Sequence, residues 1–220
     1  MSTHLIAKVP TPVLNTPDFA NNFGAKNLPL DEKGLFRPLE LIALPGTHFS
    51  LKKQISPYIA EVTTEEYPCS PLYIDLRFTT PCSSSSPRKK ALPPPARILE
   101  RLEKSLGLPY IWGGNWGQGI PELQTLYKAS TTFQGVDCSG LLYEATDGFT
   151  PRNTSELLQF GEEVTSRENI RPLDLIIWPG HVVIAFDSAT TIESLHPQGV
   201  IIQPLSKALP QNNISIRRFI

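Results

Sequence analysis

The sequence predicts an α+β fold with two domains, an all-β domain followed by a domain in which helices precede a run of strands. Three observations lead to this prediction. Strand-like runs occupy the first 80 residues, a Ser/Pro-rich stretch follows at 81–95, and helical spacing begins only beyond it. A length of 220 residues provides enough chain for two small cores.

Residues 1–80 are predicted to form a small β-barrel. Runs rich in β-branched and aromatic residues cover 39–51, 57–64 and 71–78, and Pro and Gly punctuate them. The polar stretch 15–34 is predicted to be a long loop leaving this barrel.

Residues 81–95, PCSSSSPRKKALPPP, are predicted to link the two domains. The stretch has too few apolar side chains to pack, and its prolines favour an extended backbone. Its basic residues Arg88, Lys89 and Lys90 are interpreted as solvated linker charges rather than as a binding site.

Residues 96–220 are predicted to form the α+β domain. Ile98, Leu102 and Leu106 lie at helical spacing within 94–107, between an opening proline and Gly107. Further helices are predicted to begin near Cys138 and to cover 153–164, followed by strands at 173–178, 181–186, 190–196, 200–205 and 214–220.

Composition argues against several classes of function. A net charge of −1 and a pI of about 6.4 give no basic excess for nucleic acid or an anionic membrane. No apolar run approaches the roughly 20 residues that span a bilayer, and the N-terminus lacks the pattern of a secretory signal, so we expect a cytoplasmic protein. Three cysteines without Cys-x-x-Cys spacing favour reduced thiols over disulfides or zinc, and neither a metal nor a cofactor is expected.

Cys138 lies in the stretch GVDCSG, where a helix is predicted to begin. The N–H groups and dipole of a helix start favour a thiolate by about 0.3 to 2 kcal/mol. That contribution alone does not reach the pKa of strongly activated cysteines, so a nearby cation is needed, and histidine is the usual one.

The sequence contains four histidines, two of which occur in the predicted C-terminal strands. His181 opens one strand and is the candidate general base, while His196 ends the next and is the candidate orienting residue. These residue types alone leave alternatives open: a buried apolar cysteine, ordinary polar histidines, or a Cys-His-His metal site.

The local motifs distinguish among these alternatives. They are LPYIWGG, VDCSGLLYEA, TPRNTSELLQFGEEV, RPLDLIIWPGHVVIAF and TIESLHPQGV, in that order along the C-terminal half. Their order and spacing resemble the NlpC-type cysteine peptidases of bacterial cell-wall metabolism.

The resemblance implies a papain-like α+β fold in which Cys138 is the nucleophile, His181 the general base and His196 the orienting residue. Tyr110 would line the cleft beside the thiol. One departure is Leu173, which stands where the family has a turn glycine and predicts a different local turn. Another is a long insert at 115–134.

A bacterial Src-homology-3-like barrel preceding this domain resembles γ-D-glutamyl-L-diamino acid endopeptidases, whose barrel helps to recognise a free N-terminal L-Ala. The resemblance implies substrate-binding roles for Asp137, Ser139, Thr154 and the barrel residue Tyr67. Asp137 is equally suited to cap its own helix. Candidate acidic partners for the substrate amine in the barrel are Glu65, Glu66, Asp31 and Glu32.

The expected function is therefore that of a monomeric cysteine peptidase cutting the γ-D-Glu–diaminopimelate bond of murein peptides such as L-Ala-γ-D-Glu-diaminopimelate. Two alternatives remain open, a related amide hydrolase with another substrate and a non-catalytic binder of cell-wall peptides.

Overall fold

The computed structural model describes residues 3–84, 86–208 and 213–220. These residues form two compact units, one from 1–89 with 111–134 and the other from 90–110 with 135–220. Ser85 of the predicted linker, residues 1–2 and residues 209–212 lie outside the described part of the chain.

Helices and strands alternate irregularly along the chain. The described strands are β1 His4–Ala7, β2 Thr11–Leu14, β3 Leu39–Ala43, β4 His48–Gln54, β5 Ile59–Thr64, β6 Tyr67–Asp75, β7 Thr79–Cys82, β8 Asn115–Trp116, β9 Gly135–Val136, β10 Glu162–Glu163, β11 Leu175–Trp178, β12 His181–Ala185, β13 Thr190–Leu195, β14 Gly199–Pro204 and β15 Ser215–Arg218. The described helices are α1 Phe19–Gly24, α2 Pro95–Lys104, α3 Pro121–Tyr127, α4 Cys138–Ala145, α5 Thr154–Leu157 and α6 Leu205–Ala208, with 3₁₀ turns at Leu76–Phe78 and Arg167–Asn169.

The N-terminal unit is built on a seven-stranded antiparallel sheet in the order β3-β2-β6-β5-β4-β1-β7. The predicted strand over 39–51 is two strands, because the turn between them places Gly46 at φ +90°, a conformation that suits glycine. The predicted loop 15–34 contains α1, whose first turn is capped by Asp18. The predicted strands of this region are present in one sheet, α1 departs from the all-β prediction, and the Src-homology-3-like assignment stays a prediction.

The insert predicted at 115–134 belongs to the N-terminal unit rather than to the domain predicted at 96–220. Its apolar side chains explain why. Ile120, Leu123 and Phe133 are buried in one core with Phe19 and Phe23 of α1, and removing such apolar surface from water stabilises the packing by about 25 cal/mol per Å².

The C-terminal unit combines α2 and α4 with a six-stranded antiparallel sheet in the order β10-β15-β11-β12-β13-β14. Helix α4 packs against α2 on one side and against β12 and β13 on another. Leu141, Leu142 and Ala145 of α4 are buried in the core of this unit with Val182 and Ile192 of those strands. This contact fixes the start of α4 beside one end of the sheet.

Most predicted elements of the C-terminal unit are confirmed within about two residues at each end. The helix predicted over 153–164 is wrong in length, since α5 ends at Leu157 and Gly161 adopts φ +74° shortly afterwards. Leu173 adopts φ +72°, so it takes the left-handed backbone that favours glycine.

Gly199 illustrates how closely the backbone segments of this unit approach each other. A Cβ at this position would overlap the carbonyl oxygen of Leu108. The Val200 N–H donates to that same oxygen, at 2.8 Å. The close approach holds the segment that leads to Tyr110 against the start of β14. None of the helices that the structure describes has the length and apolarity to span a bilayer.

Candidate active site

Cys138 is the first residue of α4 and is 7% exposed. Asp137 is the N-cap, and its side chain accepts the Gly140 N–H at 2.7 Å. The helix start therefore forms as predicted, and the N–H groups of a helix start favour a negative charge on a nearby sulfur or substrate oxygen.

His181 opens β12, directly after the turn that contains Gly180 at φ +82°. One ring nitrogen, Nε2, lies 2.6 Å from Oε2 of Glu193 on the neighbouring strand β13. The ring also lies near enough to Cys138 for that side chain to raise its pKa. Since Nε2 is engaged by Glu193, Nδ1 is the nitrogen that can serve the thiol. Cys138, His181 and Glu193 are called the trio below.

The pKa of His181 is raised to about 9. Burial opposes the charged imidazolium, but the hydrogen bonds and charges of Cys138 and Glu193 outweigh it. The sign is that expected of a thiolate–imidazolium pair, in which the carboxylate supports the positive ring.

Glu193, and not His196, is the residue that faces the imidazole, which corrects the sequence-based assignment of the orienting residue. Strands β12 and β13 pair Ala185 with Thr191. Continuing this register places Glu193 on the face of His181, because side chains alternate along a strand. His196 lies beyond the end of β13, is exposed, and packs edge-on against Tyr110 with 5.6 Å between ring centroids. This alternation is the signal that points to Glu193 once the register is known.

Asp137 and Ser139 belong to a buried ion-pair network with Arg152. The Arg152 guanidinium donates from Nη1 to Asp137 Oδ1 at 3.0 Å and from Nη2 to Oδ2 at 2.7 Å, and it donates to Ser139 Oγ at 3.0 Å. The Arg152 side chain is 2% exposed. The Asp137 carboxylate therefore caps the helix and balances a buried cation, and Arg152 is a structural partner to which the sequence-based reasoning gave no role.

Thr154 and Tyr110 also lie near the thiol or its neighbours. The Thr154 hydroxyl is 3.9 Å from Cys138 Sγ, so this side chain contacts the sulfur itself. Tyr110 forms a parallel bridge with Val136, two residues before the thiol, and contacts the His196 ring.

Tyr67 lies in the N-terminal unit and is 6% exposed. Its hydroxyl donates to Oε2 of Glu40 at 2.7 Å, and Asn15 donates to Oε1 of the same carboxylate. The acid beside Tyr67 is therefore Glu40, which was not among the four acids expected there. Among those four, Asp31 pairs with Arg37 and Glu66 with Arg88.

Within the part of the chain that the structure describes, no three His, Cys, Asp or Glu side chains are grouped so as to hold a metal ion. The chemistry that the trio itself can perform is nucleophilic attack by sulfur with proton transfer through an imidazole.

Comparison with known proteins shows the family of the chain. The family model described as NlpC/P60 matches residues 107–218, about half of the chain. The peptidoglycan endopeptidase RipB of Mycobacterium tuberculosis is 32% identical over 134 residues, which cover 57% of this chain and 54% of RipB. The chain thus spans about half the length of the curated relatives it matches.

Two solved structures are similar at lower identity. An NlpC/P60 family protein from Bacillus cereus is 20% identical with a TM-score of 0.44, covering 98% of this chain and 63% of its own. RipD of Mycobacterium tuberculosis, described as a non-catalytic NlpC/p60 domain protein adapted to peptidoglycan binding, is 21% identical with a TM-score of 0.44, covering 57% of this chain and 97% of its own. On the family match over 107–218, the chain belongs to the NlpC/P60 family.

Proposed function

We propose that this chain is a cysteine peptidase that hydrolyses peptides of the bacterial cell wall. The observation that supports this most is the trio: a thiol at a helix start, an imidazole beside it whose pKa the thiol influences, and a carboxylate 2.6 Å from the ring's Nε2. A nucleophile, a base and an orienting group in this order are the requirements of covalent acyl transfer.

The reaction proceeds in two halves. The Cys138 thiolate attacks the carbonyl carbon of the scissile amide, and His181 donates its proton to the departing amine, which leaves a thioester on sulfur. His181, now neutral, takes a proton from water as the water attacks the thioester. The peptide carboxylate leaves, and the thiolate–imidazolium pair is restored.

The N–H groups at the start of α4 suit the negative oxygen that develops in both halves. Glu193 keeps the ring oriented and favours its charged form, and the raised pKa of His181 agrees with that role. The Asp137–Arg152 pair fixes the helix start that carries the thiol.

As the substrate we propose a murein peptide with a free N-terminal L-Ala, cut between γ-D-Glu and the diamino acid. RipB supports the cell-wall class, since it carries the name of a peptidoglycan endopeptidase, and the motif resemblance supports the bond. Tyr67, bonded to Glu40 within the N-terminal unit, remains a proposed contributor to recognition of the ammonium group, since a buried ammonium requires a charged partner. Asp137, Ser139 and Thr154 remain proposed contributors to binding, together with Tyr110.

The experiment is mass spectrometry of L-Ala-γ-D-Glu-diaminopimelate incubated with the full chain, with and without an N-acetyl cap. We expect release of L-Ala-D-Glu from the free peptide, loss of cleavage in Cys138→Ala, and roughly thirtyfold slower cleavage of the capped peptide. Equal cleavage of both peptides would overturn the amine requirement, and no cleavage of either would overturn the peptidase.

A non-catalytic binder is the second candidate, and the name of RipD describes such a relative. The intact trio favours the enzyme, because a binder has no need of a paired thiol and imidazole. Peptide retained on the protein without cleavage would favour the binder. The cytoplasmic location and monomeric state stay predictions, which cell fractionation and light scattering test.

A further inference from the structure

The structure assigns Gln203 a positioning role in the trio: its side-chain amide holds Glu193 as the anion that keeps a proton on His181. This inference rests on the proposed function for its kinetic consequence, although the protonation of His181 can be measured without any substrate.

The contact is direct. Gln203 Nε2 donates to Oε1 of Glu193 at 2.9 Å, while Oε2 of the same carboxylate faces His181 Nε2 at 2.6 Å. Each oxygen of Glu193 thus has one side-chain partner among the described residues. The Glu193 side chain is 5% exposed, so bulk water contributes little to its solvation.

The sheet explains why these side chains meet. Strands β13 and β14 pair Thr191 with Gln203 and Glu193 with Ile201. Gln203 is therefore the diagonal neighbour of Glu193 on one face of the sheet, at a separation that long side chains can bridge. The Thr191 hydroxyl also donates to the backbone carbonyl of Gln203 at 3.5 Å. Three adjacent strands carry His181, Glu193 and Gln203.

The chemistry of the amide gives the contact a consequence. A buried carboxylate that faces an imidazolium can accept the proton from Nε2, and the result is a neutral acid beside a neutral ring. A neutral N–H donor on the other oxygen stabilises the carboxylate anion and adds no charge of its own. Gln203 therefore favours the state in which the proton stays on His181, where it is available to the leaving amine.

The groups that surround His181 come from three elements, α4, β13 and β11. Cys138 faces it from α4 and Glu193 from β13, and these are the titratable groups that act on it. From β11 the Trp178 ring packs on the imidazole, with 4.9 Å between ring centroids. Gln203 reaches the imidazole only through Glu193.

The test uses the full chain with Gln203→Met, which keeps the length of the side chain but removes the donor. Gln203→Asn shortens the arm and serves if the first variant folds poorly by circular dichroism. The matched control is Gln198→Met, at an exposed position in the turn before β14. The ¹⁵N chemical shifts of His181, followed against pH, report the imidazolium directly, and steady-state kinetics on the tripeptide report kcat and KM.

We expect both Gln203 variants to lose the imidazolium at lower pH than the control, and kcat to fall about tenfold while KM changes less than about twofold. A His181 titration and a kcat equal to those of Gln198→Met would overturn the inference. If the wild-type chain cleaves no peptide, the proposed function fails, and the ¹⁵N titration alone still decides the role of Gln203.

Discussion

Two cysteine–histidine pairs lie within the part of the chain that the structure describes, and their surroundings differ. In the C-terminal unit, Cys138 begins a helix and its partner His181 is held by a carboxylate. In the N-terminal unit, Cys82 ends a strand, and its Sγ lies 3.8 Å from Nδ1 of His48. Closeness of sulfur and imidazole is common to both pairs, so closeness alone does not mark a reactive site.

The two pairs differ in the other contacts that their sulfur and ring nitrogen atoms make. Nδ1 of His48 accepts the Ser86 N–H at 3.5 Å, and the Cys82 thiol donates to the Ser84 carbonyl at 3.4 Å. A ring nitrogen whose lone pair accepts an N–H bond is poorly placed to take a proton from sulfur. Cys138 instead lies at a helix start and beside a ring whose Nε2 faces the Glu193 carboxylate. The second pair is thus a natural internal control for the first.

The largest difference between the two pairs is expected when each sulfur is removed in turn. Cys138→Ala should lower kcat/KM for peptide cleavage by roughly 10⁴-fold or more, because no other group supplies the nucleophile. Cys82→Ala should leave cleavage at the wild-type rate. Mass-spectrometric product assays on both variants make the comparison, and substantial residual turnover in Cys138→Ala contradicts the assignment.

The next effect concerns stability. Arg152→Met leaves the buried Asp137 carboxylate without its cation and should lower the free energy of unfolding by about 3 to 5 kcal/mol. The control is Arg97→Met, which removes an exposed pair with Glu100 and should lower the free energy of unfolding far less, because water screens exposed charges. Urea denaturation followed by circular dichroism measures both, and equal losses would refute the structural role of Arg152.

A smaller effect is expected from Glu193→Gln, which removes the charge that supports the imidazolium. The pKa of His181 should fall from about 9 toward its ordinary value near 6.5. His181 must be protonated to serve the leaving amine, so kcat/KM declines as pH rises through the pKa, and this alkaline limb should shift to lower pH. At pH 8 the loss should be about tenfold or more.

The raised pKa of His181 also makes the free energy of unfolding depend on pH. The folded-state pKa of His181 lies above the unfolded value, so its contribution is fully present below about pH 6.5 and disappears as pH rises through about 9. In Glu193→Gln the pH range over which protonated His181 stabilises the folded state should end at a lower pH. Melting curves measured from pH 6 to 10 follow it, and an unchanged alkaline slope would argue against the ion pair.

The smallest effect is expected from His48→Ala, which should leave kcat/KM unchanged and shift the free energy of unfolding by less than about 0.5 kcal/mol. His181→Ala is the matched change at the other pair and should abolish cleavage. If His48→Ala slows cleavage as strongly, the contrast between the two pairs is wrong.

The sequence predicted the helix that begins at Cys138 well, because Asp137 followed by Cys138 and Ser139 is a local N-cap pattern that needs no tertiary information. Glu193 was missed because the sequence does not give the register of β12 with β13. A register shifted by one residue would turn a different set of β13 side chains toward His181. Asp137–Arg152 and Glu193–Gln203 join residues from separate elements, and only the fold brings them together. The 111–134 segment has apolar residues that indicate burial without indicating which core they enter.

The most direct measurement is the identity of the cysteine that reacts first with substoichiometric iodoacetamide at about pH 6, where an ordinary thiol is almost entirely protonated. Peptide mapping separates Cys69, Cys82 and Cys138. A thiolate paired with the His181 imidazolium predicts that Cys138 is labelled well ahead of the other two, and that His181→Ala removes this lead. Equal labelling of the three, or labelling of Cys82 first, would contradict the claim that the trio is the reactive centre.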